Sequence, residues 1–79
     1  MTREEYRAGL ARARANGHAV KFGGGASTGY WWACECGAGR GTRPEWPFLV
    51  AAPYESPFDR TFDAHTHMLD AAERMIGRA

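Results

Sequence analysis

The chain has 79 residues and a formal net charge of +1, so it is long enough for one small domain and not basic enough for nucleic acid to be the default partner. A domain of this size buries only about 60 to 65% of its unfolded surface and usually needs a disulfide framework, a bound metal or a partner subunit. Two cysteines cannot form a disulfide framework. No apolar run approaches the roughly 20 residues that span a bilayer, and the expected location is the cytoplasm, where thiols stay reduced.

The N-terminal segment predicts an amphipathic helix over residues 3 to 15. Thr2 and Glu5 have the spacing of a capping box, and Asn16-Gly17 is typical of a left-handed helix end. The residues expected on its apolar face are Tyr6, Leu10 and Ala13. The basic stripe that flanks this face consists of Arg3, Arg7 and Arg14.

Two strands are predicted next, over residues 18 to 22 and 30 to 34, with GGGASTG as the loop between them. If Phe22 pairs with Tyr30, then His18 lies opposite Cys34 on one face of the hairpin. The run GAGRGTRPEWP, residues 37 to 47, is dense in Gly and Pro, which predicts a turn or a mobile loop rather than a strand. The segment FLVAA, residues 48 to 52, is a candidate third strand.

A second helix is predicted to begin after Ser56, because a capping serine precedes Pro57 and an acid, Asp59, lies near the positive end of the helix dipole. It should continue to about Ile76 and stop at Gly77. The stripe expected to face the core is Phe58, Phe62, His65, Leu69, Ala72 and Ile76.

These elements together predict a single α+β domain over residues 1 to 79. It would contain an N-terminal helix, an antiparallel sheet of two or three strands and a C-terminal helix packed on that sheet. We expect one zinc ion to hold these elements together, because hydrophobic burial at this size roughly cancels the conformational entropy of the chain.

The two cysteines predict half of a zinc site. Cys34 and Cys36 are followed by Gly37 at the end of an aromatic strand, and such a turn lets two thiolates converge on one tetrahedral ion. His65 is the expected third ligand, because its helix face should point at the core. The fourth is His67, by proximity in the sequence, or His18, which helix geometry favours because His65 and His67 would lie about 200° apart around their helix.

Four protein ligands would leave no open position at which the ion could activate water, so the metal would be structural. Two other interpretations of the cysteines stay open. They could be buried, inert thiols, or a redox pair, although a Cys-x-Cys disulfide ring is strained and no thioredoxin-like βαβ unit surrounds them. His65 could likewise be a buried neutral imidazole that is satisfied by a backbone carbonyl.

The segment WWACECGAGRG, residues 31 to 41, is followed by a helix that carries AHTHMLDAAERMIG, residues 64 to 77. This combination resembles small proteins of actinobacteria and their phages, in which a Trp-x-Cys-x-Cys-Gly stretch precedes a histidine-bearing, alanine-rich helix. The resemblance implies zinc-finger-like folding and an accessory role in a phage or mobile element, and it carries over Cys34, Cys36 and a helix histidine. His65 and His67 are closer together than the paired histidines of ordinary fingers, which leaves the fourth ligand open.

The expected function is binding rather than catalysis, because no nucleophile and base pair or carboxylate dyad stands out. The leading hypothesis is a protein partner, as for a phage-encoded modulator of a host protein, with no membrane and no small-molecule substrate. The residues expected to contact it are Trp31, Arg40, Arg43 and Trp46.

The alternative partner is nucleic acid. The first 21 residues carry five positive and two negative side chains, a net charge of +3, and a tryptophan could stack on bases. The residues expected to contact phosphates are Arg3, Arg7, Arg12, Arg14 and Lys21.

Overall fold

A computed structural model of the chain describes residues 2–43 and 45–77. Its elements in chain order are helix α1 (Arg3–Ala15), strands β1 (Val20–Gly25), β2 (Gly29–Cys34) and β3 (Gly39–Arg40), and helix α2 (Pro57–Met75). The strands form one antiparallel sheet in the order β1-β2-β3. The predicted α+β architecture of helix, small sheet and helix is confirmed. Pro44, inside the predicted loop at 37 to 47, lies outside the described residues.

Both helices begin where their capping residues predict. The Glu5 backbone N–H donates to Thr2 Oγ1 at 3.1 Å, and the Thr2 N–H donates to the Glu5 carboxylate at 3.4 Å. At the start of α2 the Phe58 N–H donates to Ser56 Oγ at 3.2 Å. Each side chain satisfies a backbone donor that the helix itself leaves without a partner, so local chemistry alone places these two ends.

The hairpin of β1 and β2 has a different register from the predicted one. Strand β1 begins two residues later than expected, and Phe22 pairs with Trp32 rather than with Tyr30. Because successive side chains in a strand point to opposite faces, a shift of two residues leaves every side chain on its predicted face. His18 now precedes β1, yet it stays on the side of the hairpin that carries Cys34.

The third strand was predicted in the wrong place. It is Gly39–Arg40, inside the glycine-rich run, whereas of residues 48 to 52 only Val50 makes an isolated bridge, with Arg40. A tight turn after β2 returns the chain at once, so that Ala33 pairs with Gly39. A Cβ atom at Gly39 would lie 2.6 Å from the Trp32 carbonyl oxygen. Glycine therefore serves close strand approach here rather than loop flexibility.

The predicted core face of α2 is confirmed at Ala72, which is fully buried, and is wrong at the two phenylalanines and His65. Phe58 and Phe62 are 82% and 70% exposed. The side chains that α2 buries are Ala64, Met68, Ala71 and Ala72. A Cβ atom added to Gly9 of α1 would lie 2.6 Å from the Ala72 carbonyl oxygen. Where Gly9 meets Ala72 the two helices approach so closely that no larger side chain fits at either position. The two phenylalanines face outward.

The core consists mainly of small side chains, and a row of hydrogen-bonded side chains crosses it. Among the described residues, five of the nine buried hydrophobic side chains are alanine. Trp32 Nε1 donates to the Tyr54 hydroxyl at 2.9 Å, and that hydroxyl donates to the Asp63 carboxylate at 2.6 Å. Burial and the bond to Asp63 raise the pKa of Tyr54, so the phenol keeps its proton. These two hydrogen bonds connect β2, the segment before α2, and α2 itself.

We expect Gly9→Ala to lower the free energy of unfolding by up to about 2 kcal/mol. The gain of about 1 kcal/mol in helix propensity is outweighed by overpacking against Ala72, which costs about 1 to 3 kcal/mol. Denaturant unfolding at a constant metal concentration measures the difference. Gly25→Ala is the control, since a Cβ atom there meets nothing within 4 Å, and it should change stability by less than about 0.5 kcal/mol. A stabilised Gly9→Ala variant would contradict the close helix contact.

Candidate metal centre

Four side chains with metal-ligating atoms converge at one end of the sheet. They are His18, Cys34, Cys36 and His67, and their ligand atoms all lie within 4.8 Å of one another. These residues come from the connection between α1 and β1, from the end of β2 and the turn after it, and from the middle of α2. The four groups lie close enough together to bind a metal ion.

His18 is placed by the end of α1. Gly17 has a φ of +93°, the left-handed conformation that glycine adopts without steric cost. The Gly17 N–H then donates to the Arg14 carbonyl at 3.3 Å, and the His18 N–H donates to the Ala13 carbonyl at 3.0 Å. This pair of bonds is a Schellman motif, which ends the helix and fixes the direction in which the chain leaves it. The sequence Asn16-Gly17-His18 thereby directs the imidazole towards the sheet.

The two cysteines are brought together by the turn between β2 and β3. The Gly37 N–H donates to the Cys34 carbonyl at 3.0 Å, and the Cys34 N–H donates to the Ala38 carbonyl at 2.8 Å. Gly37 has a φ of +98°, which a side chain would disfavour. Both thiols are free. Cys34 is only 2% exposed, whereas Cys36 is exposed, so the pair has one inner and one outer sulfur.

His67 completes the group from α2. Its ring lies 5.3 Å from the Trp32 ring and 5.5 Å from the His18 ring, centroid to centroid. The Trp32 indole is itself held in place by its hydrogen bond to Tyr54. The His67 ring therefore packs against a side chain whose position is fixed. His67 is half-buried and lies on the side of α2 that faces the sheet, which is why its imidazole reaches the cysteine turn.

The distances fit a tetrahedral ion. With metal–sulfur bonds of about 2.3 Å and metal–nitrogen bonds of about 2.05 Å, a sulfur and a nitrogen at two corners of a tetrahedron lie about 3.6 Å apart. Cys36 Sγ lies 3.5 Å from His67 Nε2, and Cys34 Sγ lies 3.8 Å from His18 Nδ1. Two opposite edges of the tetrahedron therefore already have the length that coordination requires.

The electrostatics of the site favour a bound cation. Burial raises the pKa of the Cys34 thiol, because a thiolate loses solvation in this environment. The hydrogen bond from the Cys36 backbone opposes this rise in pKa, and the Cys36 thiol adds to it. Burial, followed by electrostatic repulsion from His18 and Arg74, lowers the pKa of His67. A neutral imidazole offers a lone pair to a metal. A bound divalent cation would also compensate the negative charge of a buried thiolate. Without a cation, burial disfavours that thiolate.

His65 does not belong to this group, and the geometry corrects that choice of third ligand. His65 is exposed, and its ring lies edge-on to Tyr6 of α1 at 6.0 Å. It is also not the buried imidazole considered as an alternative. The error follows from the wrong core face of α2: rotating that face towards Ala64 and Ala71 turns His67 inward and His65 outward. His18 and His67, the two alternatives for the fourth ligand, are both present.

Of the four residues expected to contact a protein partner, three lie together and Arg40 lies apart from them. The Arg43 guanidinium lies over the rings of Trp31 and Trp46, 4.8 and 4.5 Å from their centroids, and it pairs with the Glu45 carboxylate. Arg40 points elsewhere. Its Nε donates to the Ala52 carbonyl at 2.8 Å, and its guanidinium lies 4.3 Å from the Tyr54 ring centroid. Arg40 therefore supports the fold.

The residues expected to contact phosphates lie at the surface. Arg12 donates to the Met75 carbonyl at 3.1 Å and so connects the two helices. The exposed basic side chains of this end are Arg3, Arg7, Arg12, Arg14 and Lys21.

Comparisons of the chain with protein-family models, with curated proteins and with solved structures find no match. In the described part of the chain, no helix has both the length and the apolar character needed to cross a membrane. The function of the site is therefore argued from its geometry.

We expect His67→Ala to weaken the binding of Co²⁺, used as a spectroscopic probe, by more than about 100-fold. Loss of a residue that merely orients a ligand costs about 10- to 100-fold in affinity, and His67 is itself positioned as a ligand. Titration followed by the absorption of tetrahedral cobalt–thiolate complexes measures this. His65→Ala, on the same helix, is the matched control and should bind normally. If His65→Ala abolished binding while His67→Ala did not, the assignment would be wrong.

Proposed function

We propose that the chain is a zinc-stabilised domain of the Cys₂His₂ type. The observation that supports this most directly is the convergence of two thiols and two imidazoles within 4.8 Å. Two thiolates with two imidazoles are a donor set of structural zinc sites, whereas Mg²⁺ and Ca²⁺ require oxygen ligands. A reducing compartment such as the cytoplasm would keep both thiols available for the metal.

A structural role suits the site better than a catalytic one. Four protein ligands close the coordination sphere, so no position is left at which zinc could activate water. The ligands also join the end of α1, the sheet and α2 in a domain where five of the nine buried hydrophobic side chains described are alanine. In such a domain, the free energy of metal binding becomes free energy of folding.

The test is the zinc content and its link to stability. Protein purified without added zinc should contain about one zinc ion per chain. At a free zinc concentration about 1,000 times the dissociation constant, binding stabilises by about 4 kcal/mol, so chelation should lower Tm by about 15 to 30 °C in a domain of this size. Thermal unfolding followed by circular dichroism, before and after chelation, measures the shift.

Two variants sharpen this test. Cys34→Ser should lose both the zinc and the chelator effect, because a hydroxyl is a poor replacement for a thiolate. His65→Ala should keep both, since His65 lies outside the group. A wild-type chain that carries no zinc and melts at the same temperature with and without chelator would end the proposal.

For the biological role we propose binding to a macromolecular partner, as in a phage-encoded modulator of a host protein. The surface that supports this is the loop where Arg43 is held between Trp31 and Trp46, with Phe48 stacked on Trp46 at 6.2 Å. Tryptophan and arginine are the residue types that dominate binding energy at protein interfaces. Arg40 is left out of this surface because it is engaged with Ala52 and Tyr54.

Nucleic acid remains the second candidate, because the basic residues of α1 are exposed. Binding to single- or double-stranded DNA or RNA is strongest at low salt, where phosphate contacts are least screened. We expect Arg7→Glu with Arg14→Glu to abolish any binding seen at about 50 mM salt by fluorescence anisotropy, and Arg43→Ala to leave it unchanged. Absence of wild-type binding under these conditions would remove this candidate.

A further inference from the structure

Helix α2 carries a second apolar side, which is exposed at its N-terminal end and half-buried beside α1. We call it the phenylalanine stripe; its residues are Phe58, Phe62, Leu69 and Ile76. At 100° per residue, Phe58, Phe62 and Leu69 lie within about 40° of one another around the helix, and Ile76 follows its last residue, Met75. Phe58 and Phe62, at 82% and 70%, are the most exposed of the large hydrophobic side chains described. Contiguous exposed apolar surface of this kind marks an interaction site.

One side of the phenylalanine stripe is acidic. Phe62 lines a cleft of about 430 Å³ together with the carboxylates of Glu55, Asp59 and Asp63. Arg40 also lines this cleft, but its guanidinium lies against the Tyr54 ring and its Nε is bonded to Ala52. The cleft therefore keeps an excess of negative charge next to the exposed ring.

The other side of the stripe is basic. Leu69 lines a cleft of about 300 Å³ with His65, Tyr6 and Arg3. Arg7, one turn further along α1, is exposed and lies on the same side of that helix as Arg3. No acidic side chain lines this cleft. The stripe thus has carboxylates along one edge and guanidinium groups along the other.

We propose that the phenylalanine stripe is the interface of a symmetric homodimer. In a two-fold interface, the same patch on each subunit must complement itself. A two-fold axis that lies in the interface, at right angles to the line joining the two charged edges, places the acidic edge of each subunit over the basic edge of the other. The phenylalanine rings of both copies then meet between the two charged contacts.

The charge pattern favours a second copy over a different partner. A partner with a uniformly acidic surface would be attracted by Arg3 and repelled by Glu55 and Asp59. A partner with a uniformly basic surface would be attracted by the two carboxylates and repelled by Arg3. Only a surface with both signs in the opposite order satisfies both edges. A second copy of this chain supplies that surface, and two-fold dimers are the commonest form of soluble oligomer.

The first test is the mass in solution. By sedimentation equilibrium over roughly 10 µM to 1 mM, the zinc-loaded wild type should approach twice the chain mass of 8.7 kDa. Phe58→Glu with Phe62→Glu should weaken dimerisation by more than about tenfold, because exposed aromatic anchors at the centre of an interface carry most of its energy. A wild type that stays at the chain mass across this range would overturn the proposal.

A control variant separates the stripe from exposed apolar groups in general. Val50 is 61% exposed and lies outside the stripe, so Val50→Glu should dimerise like the wild type. Equal dissociation by Val50→Glu would count against the stripe as the interface. The variants should all keep about one zinc ion per chain, so that failure of the dimer and failure of the metal site are told apart.

The second test exchanges the charged edges. One variant carries Arg3→Glu and Arg7→Glu, and the other carries Glu55→Lys and Asp59→Lys. Each alone should be monomeric, since like charges then face one another at both contacts. An equimolar mixture should form a heterodimer, because every contact again pairs opposite charges. A mixture that stays monomeric, or single variants that dimerise as the wild type does, would overturn the arrangement.

Discussion

The close approach of α2 to both α1 and the sheet is the constraint on which the rest of the structure depends. Gly9 and Ala72 are small enough for the backbones of the two helices to come into contact. The buried residues Ala64 and Ala71 likewise give α2 short side chains on its inner side. At this spacing the imidazole of His67 reaches the cysteine turn. Larger side chains at the helix contact would move His67 away from the two sulfur atoms. The geometry of the candidate metal centre therefore depends on how closely the helices pack.

The parts of the fold that could be predicted from the sequence are those controlled by local chemistry. Thr2, Ser56 and Gly17 end or begin helices through bonds to neighbouring backbone groups, and such bonds depend little on the rest of the chain. The cysteine pair is similar, because a short turn with glycine at its end brings the two sulfurs together. Even the wrong hairpin register left His18 on the correct face, since side chains alternate with a period of two.

The wrong core face of α2 and the wrong third ligand have one origin, which is that α2 has two apolar sides. Phe58, Phe62 and Leu69 outweigh three alanines on any hydrophobicity scale, so the pattern alone assigns the larger groups to the core. The choice between the sides is made by how closely α1 can approach, a tertiary property that the sequence of α2 does not contain. The expectation that His65 is a ligand is a direct consequence of this pattern. The misplaced third strand is a similar case, since glycine at position 39 permits pairing that composition cannot distinguish from a loop.

The contact between the rings of Trp32 and His67 has an optical consequence. Trp32 is buried, its indole is held by Tyr54, and its ring centroid lies 5.3 Å from that of His67. An ion with a partly filled d shell, coordinated by that imidazole, would accept excitation from the indole over such a short path. Quenching of Trp32 would then report binding of such an ion without an attached dye, alongside the emission of Trp31 and Trp46, whereas zinc, whose d shell is full, would not quench by this route.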